Sequence, residues 1–168
     1  NFNEGYLQSP TSADWNLGNA NFTIEAYVYL NAYTSYGPIL SLRGPLSWDL
    51  LSQSIESSPV NKAEFTYWIG GTQYKIFSNV VVTLNTWHHI AVVRNGSSVR
   101  VYLDGIGGTP GNIGSSSIDN SSGNMTIGAL GDGYTGWKAN SYIDELRITK
   151  NQAIYTTDFT PPTAAFAN

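Results

Sequence analysis

The stretch NTWHHIAVVRNGSSVRVYLDGIGGT, residues 85–109, decides the fold. Two runs rich in Val, Ile, Tyr and Trp, 87–94 and 98–104, flank Asn95-Gly96-Ser97. Asn-Gly supplies the positive φ angles that a tight turn between right-twisted strands needs, so the two runs are predicted to form a β-hairpin. The second run ends in Asp104-Gly105, where the same turn chemistry starts again.

Outward from this hairpin, turn clusters continue to alternate with short strand-like runs. In 22–30, Phe22, Ile24, Ala26, Val28 and Leu30 alternate with Thr23, Glu25, Tyr27 and Tyr29, the period-2 pattern of a strand with one face in a core. Further runs are predicted at 37–42, 48–54, 63–69, 73–77, 80–83, 124–129 and 140–149, with Gly70-Gly71 as a second hairpin turn. Two long loops, 109–123 and 130–140, interrupt the pattern, and loops of that size in a compact domain are mobile or used. About a dozen short strands with no helical segment imply an all-β, two-sheet antiparallel sandwich. The chain reads as a single domain, 1–168, whose tail 156–168 contains Pro161-Pro162, a pair that cannot join a ladder.

Composition excludes several functions. Charged residues make up 12% of the 168, aromatics 13%, and the formal charge is −4, with no Cys. Without clustered Lys and Arg there is no phosphate-tracking surface, hence no nucleic acid. No apolar run approaches the roughly 20 residues that cross a bilayer, hence no membrane. With a first residue other than Met, the chain is expected to be a processed product or a fragment of something longer.

The segments WHHIAVVRNGSSVRVYLDG (87–105), FTIEAYVYL (22–30) and YIDELRITK (142–150) together resemble laminin G-like, concanavalin A-like jelly-roll domains. The longer ending YIDELRITKNQAIYTTDFTPPTAAF (142–166) resembles laminin G-like domains of bacteriophage virion proteins. That resemblance implies a jelly-roll sandwich on a virion surface or otherwise extracellular, with Tyr155 and Phe159 clipping the tail back onto a sheet. It also implies a calcium ion held by the chain's first residues and the Asp of the closing strand, here Asn3, Glu4 and Asp144. The alternative for Asp144 is that it accepts backbone N–H bonds at a corner.

Catalytic chemistry finds little support. Sugar-cleaving relatives on this fold place alternate acids on one strand face, whereas Asp144-Glu145 are neighbours whose side chains point to opposite faces of a strand. His88 and His89 likewise face opposite ways, so one is expected in a hydrogen-bond network beside Trp87 and the other in solvent. No Gly-x-Ser-x-Gly elbow is present. The chain is therefore read as a binding or structural module, not an enzyme.

Sugar recognition suits the composition better. Sugars offer apolar C–H faces and rows of hydroxyls, which aromatic platforms and carboxylates or amides match. The loop GDGYTGWKAN, 131–140, holds Asp132, Tyr134, Trp137, Lys138 and Asn140 within nine positions. Trp48, Tyr67, Trp68 and Tyr74 extend the platform if their strands line a concave face. The expected partners are glycans or a host cell-surface ligand, and other virion proteins or copies of itself. The alternatives are a purely structural decoration protein and a bacterial extracellular adhesin domain.

Overall fold

A computed structural model describes residues 5–43, 46–54, 58–131 and 137–166. Its strands are β1 (Leu7–Gln8), β2 (Phe22–Leu30), β3 (Tyr36–Arg43), β4 (Leu46–Ser54), β5 (Lys62–Ile69), β6 (Thr72–Val81), β7 (Trp87–Asn95), β8 (Ser98–Leu103), β9 (Ile106–Gly107), β10 (Gly111–Asn112), β11 (Thr126–Ile127) and β12 (Ser141–Lys150). They form two antiparallel sheets, ordered β1-β11-β3-β4-β5-β6 and β10-β8-β7-β2-β12, with β9 added to β8. This is the expected all-β sandwich. Among the described residues the only helical piece is the 3-10 turn Ala13–Trp15, and no helix is long and apolar enough to cross a membrane.

The core lies between the sheets and follows the alternation in β2. Phe22, Ile24, Ala26, Val28 and Leu30 are fully buried, packed with Leu40, Leu42, Trp48, Leu50, Phe65, Ile90, Val92 and Val101. Burying a side chain the size of Phe22, Ile24, Val28 or Leu30 stabilises by about 1.5–3 kcal/mol each.

The turns explain the register, with one change. In β7–β8, Asn95 pairs with Ser98, so the central residues are Gly96-Ser97 rather than Asn95-Gly96. Gly96 alone has positive φ (60°), which is the type II′ arrangement with glycine first. Asp104-Gly105 (φ 51° and 82°) and Gly70-Gly71 (56° and 78°) are positive at both places, the type I′ geometry. The runs 73–77 and 80–83 merge into β6, and the run 124–129 shrinks to the two residues of β11.

The tail behaves as expected. Tyr155 and Phe159, together with Ala153, pack on Ala91, Val93 and Tyr102, on the outer face of the second sheet. Phe159 N donates to Gly105 O at 3.0 Å, and the strap passes so close that a Cβ on Gly105 would sit 1.8 Å from Phe159 O. Tyr27 donates its hydroxyl to Pro162 O further along.

Candidate functional site

After β11 the chain turns at Gly128 (φ 81°) and folds back as an irregular hairpin. Leu130 N donates to Trp137 O (3.1 Å), Ala139 N to Gly128 O (3.0 Å), and Ala129 bridges Lys138. One leg is pinned by Gly131 N donating to Ser41 Oγ at 2.9 Å. The other is pinned by Asn31, whose N donates to Asn140 O (2.9 Å) and whose Nδ2 donates to Asn140 Oδ1 (3.1 Å).

Of the five residues expected to contact sugar, Asp132 and Tyr134 lie outside the described residues. Trp137 is 40% exposed, with its ring 5.1 Å from Tyr36. Lys138 is half-buried in the bridge, and the Asn140 side-chain oxygen is engaged with Asn31. The aromatic pair Trp137–Tyr36 is thus the described part of the site that faces outward.

Beneath the hairpin, the outer face of the first sheet carries a buried polar row that the sequence reading did not find. The buried Ser41, Asp49 and Thr66 stand in register across β3–β5, and the row ends at the exposed Lys75 on β6. Asp49 accepts from Arg43 Nε (2.6 Å) and Ser41 Oγ (2.5 Å), and Glu64 accepts from Lys75 Nζ (2.8 Å). Burial pushes the Asp49 carboxyl above the usual range, with Arg43 and Ser41 working against it. Ser41 thereby links this row to the hairpin through Gly131. Nothing local in the runs 48–54 and 63–69 marks Asp49 and Glu64 as buried.

The extended platform is not formed. Trp48 and Tyr67 belong to the core, and Trp68 is buried with Arg43 stacked 5.4 Å from its ring. Tyr74 is 45% exposed but stacks on Tyr67.

His88 and His89 do face opposite ways, yet neither is in solvent. His88 Nδ1 lies 2.7 Å from Asp104 Oδ2 and its Nε2 2.9 Å from Thr83 Oγ1. His89 Nε2 donates to Glu25 Oε2 at 3.0 Å because the strap has closed over that face. Among the described residues no three His, Asp or Glu gather to hold a metal.

Asp144 and Glu145 depart from the strand rule. Between Asp144, opposite Tyr27, and Arg147, opposite Glu25, β12 carries one extra residue, and Glu145 adopts φ 50°. The bulge turns both acids toward one groove instead of opposite faces. Asp144 Oδ1 accepts from Glu145 N at 2.9 Å, as the corner alternative anticipates. Asn3 and Glu4, the other expected calcium ligands, lie outside the described residues.

Comparison with protein families matches residues 1–153 to the laminin G-like family described as the Concanavalin A-like lectin/glucanases superfamily. The binding domain of Paraclostridial Mosquitocidal Protein 1 superposes with a TM-score of 0.67 at 12% identity, over 91% of this chain and 39% of that one. Domain 4 of AbnA, an extracellular arabinanase from Geobacillus stearothermophilus solved in complex with arabinotriose, gives 0.63 at 14% identity, over 85% and 65%. Two domains of the mouse laminin alpha1 chain give 0.65 at 14% identity, over 88% and 40%. The chain therefore spans between two-fifths and two-thirds of these structures, which it resembles in fold. Comparison with curated protein sequences gave no match.

Proposed function

The chain belongs to the concanavalin A-like lectin/glucanases superfamily, and from that premise we propose that it is a non-catalytic, glycan-binding module of a bacteriophage virion surface protein. The observation that carries the reading is Trp137, held 40% exposed beside Tyr36 on a hairpin pinned at both legs. A pre-positioned indole face stacks on the apolar face of a sugar ring without first losing its freedom, which lowers the ordering cost of binding. Asp132, Tyr134, Lys138 and Asn140 complete the site with polar contacts. The absence of catalysis is supported by Asp49 and Glu64, each of which is already engaged by a cation. The virion setting is supported by the ending at 142–166. A structural decoration role is favoured by one feature, the exposed Val60, Val80 and Val81 near the end of β6, which suit contact with copies of itself or other virion proteins.

Single sites of this kind are weak, so the module is tested as a multimer on a glycan array, where avidity raises the signal. Sugar binding that disappears in Trp137→Ala, with an unchanged melting temperature, is the expected result. A multimer that binds no sugar sinks the glycan reading in favour of the decoration role.

A further inference from the structure

A second aromatic row starts two residue pairs along β2 and β12 from the Asn31–Asn140 pin, on the outer face of the second sheet. Strand pairing places Tyr142 opposite Tyr29, and Tyr29 opposite Trp87, across β12, β2 and β7. Their rings meet edge to face, with centroids 5.9 and 5.7 Å apart. Trp87 is 48% and Tyr142 43% exposed. Large aromatics in such a row normally seek cover, and the strap that covers Ala91 and Val93 on this face leaves these open.

Beside the row runs a groove of about 460 Å3, lined by Tyr27, Trp87, Asp144 and Glu145, with 162–165 of the strap as its far wall. Its size falls within the roughly 300–1,000 Å3 of small-ligand sites. The β12 bulge supplies the two acids, and each uses one oxygen in a backbone bond: Asp144 Oδ1 from Glu145 N, Glu145 Oε2 from Phe166 N. Neither carboxylate has a cationic partner among the described residues. The nearby Arg147 is committed to Glu25 and to the Phe166 ring.

Aromatic faces attract both sugar C–H surfaces and cations, and uncompensated carboxylates, which accept from any donor, bind a cationic one most strongly. The hydroxyls of a neutral sugar donate hydrogen bonds to these carboxylates but leave both charges uncompensated, whereas an ammonium both donates and neutralises. We propose that the groove is a second binding site for a saccharide bearing a free amino group, its ring against Trp87 and Tyr142 and its ammonium on Asp144 and Glu145. The inference deepens the glycan reading by naming a ligand class, and it shares no residue with the Trp137 hairpin.

The test is calorimetric titration of the full chain with a glucosamine trisaccharide, its fully N-acetylated counterpart, and choline. The amino sugar is expected to bind and to weaken with added salt. Its affinity is expected to fall at least about tenfold in Asp144→Asn with Glu145→Gln, and similarly in Trp87→Ala, while Trp137→Ala leaves it unchanged. Tyr142→Ala stands in should Trp87→Ala melt early. Equal binding of the N-acetylated sugar, choline binding as tightly as the trisaccharide, or indifference to the acid substitutions would each overturn the proposal. Loss of binding in Trp137→Ala alone would also overturn it, since that result belongs to the hairpin site. A glycan array that is silent for neutral sugars but a positive amino-sugar titration separates the fate of this site from that of the other.

Discussion

Glu25 is a carboxylate with no solvent exposure, held by donors from three parts of the chain. His89 Nε2 donates from β7 (3.0 Å), Arg147 from β12 through Nε (3.0 Å) and Nη2 (2.7 Å), and the Tyr155 hydroxyl from the strap (2.8 Å). Burial raises its pKa, but these donors outweigh burial and hold it below the ordinary 4.5. The folded state thus binds fewer protons at Glu25 than the unfolded state. Its contribution is complete above 4.5 and is lost as the pH falls from there through the lower folded value. Glu25→Gln is expected to cost about 3 kcal/mol near neutral pH, because it leaves Arg147 facing a neutral partner. The gap in melting temperature between wild type and variant should narrow as the pH falls from about 7 to about 3, measured by circular dichroism. A gap that does not change with pH would mean that Glu25 is not ionised in the fold. At this scale the sequence was a poor guide. Glu25 sits at a polar position of a perfect alternation, which reads as solvent-facing, and nothing local says that residues 130 positions away will cover it.

Among the elements, the strap and the two folded-back turns decide what the sheets can expose. Phe159 stacks on Tyr155 (centroids 3.6 Å apart), meets His89 edge-on (5.6 Å) and leans on Tyr102 (5.4 Å). Phe159→Ala is expected to cost about 2 kcal/mol, less than a fully enclosed Phe because the ring is only half-buried. Limited proteolysis should then nick the chain beyond Asn151, whereas a strap as resistant as in wild type would show that Phe159 is not its anchor. The clipping by Tyr155 and Phe159 was readable in advance, since two aromatics followed by Pro161-Pro162 have few other uses. The hairpin turns at Gly70-Gly71 and Asp104-Gly105 were readable too, because both demand positive φ. The one-residue shift of the β7–β8 turn was not, since Asn95-Gly96 and Gly96-Ser97 both satisfy local turn chemistry and the pairing of the cores selects between them. The bulge at Glu145 leaves no mark in composition, so the reading of Asp144 and Glu145 on opposite faces followed the rule for regular strands and failed where the strand is irregular.

For the molecule as a whole, the sandwich was legible because alternation and turn residues agree along most of its length. The proposed binding surfaces were only partly so. Trp137 was singled out from residue types clustered within one loop, whereas the row Tyr142–Tyr29–Trp87 is assembled from three strands far apart in sequence and exists only once the register is known. Calcium at Asn3, Glu4 and Asp144 is a competing proposal for the same Asp144 carboxylate, with its own test. Adding the ion to chelator-treated protein should raise the melting temperature in proportion to the logarithm of its concentration, as mass action on the folded state requires. Asp144→Asn should abolish that rise, and a melting temperature indifferent to calcium would remove the ion from the account.

The irregularity in β12 has a further effect, on how copies of the chain meet in concentrated solution. β12 is a ten-residue strand at the margin of its sheet, and a straight margin of that length invites another molecule to continue the ladder. The kink at Glu145 breaks the row of free amides and carbonyls into two short pieces and sets two negative charges beside the break. A chain with only 12% charged residues has little general repulsion to keep it dispersed, so the shape of this border works against ladder-wise pairing of copies along β12.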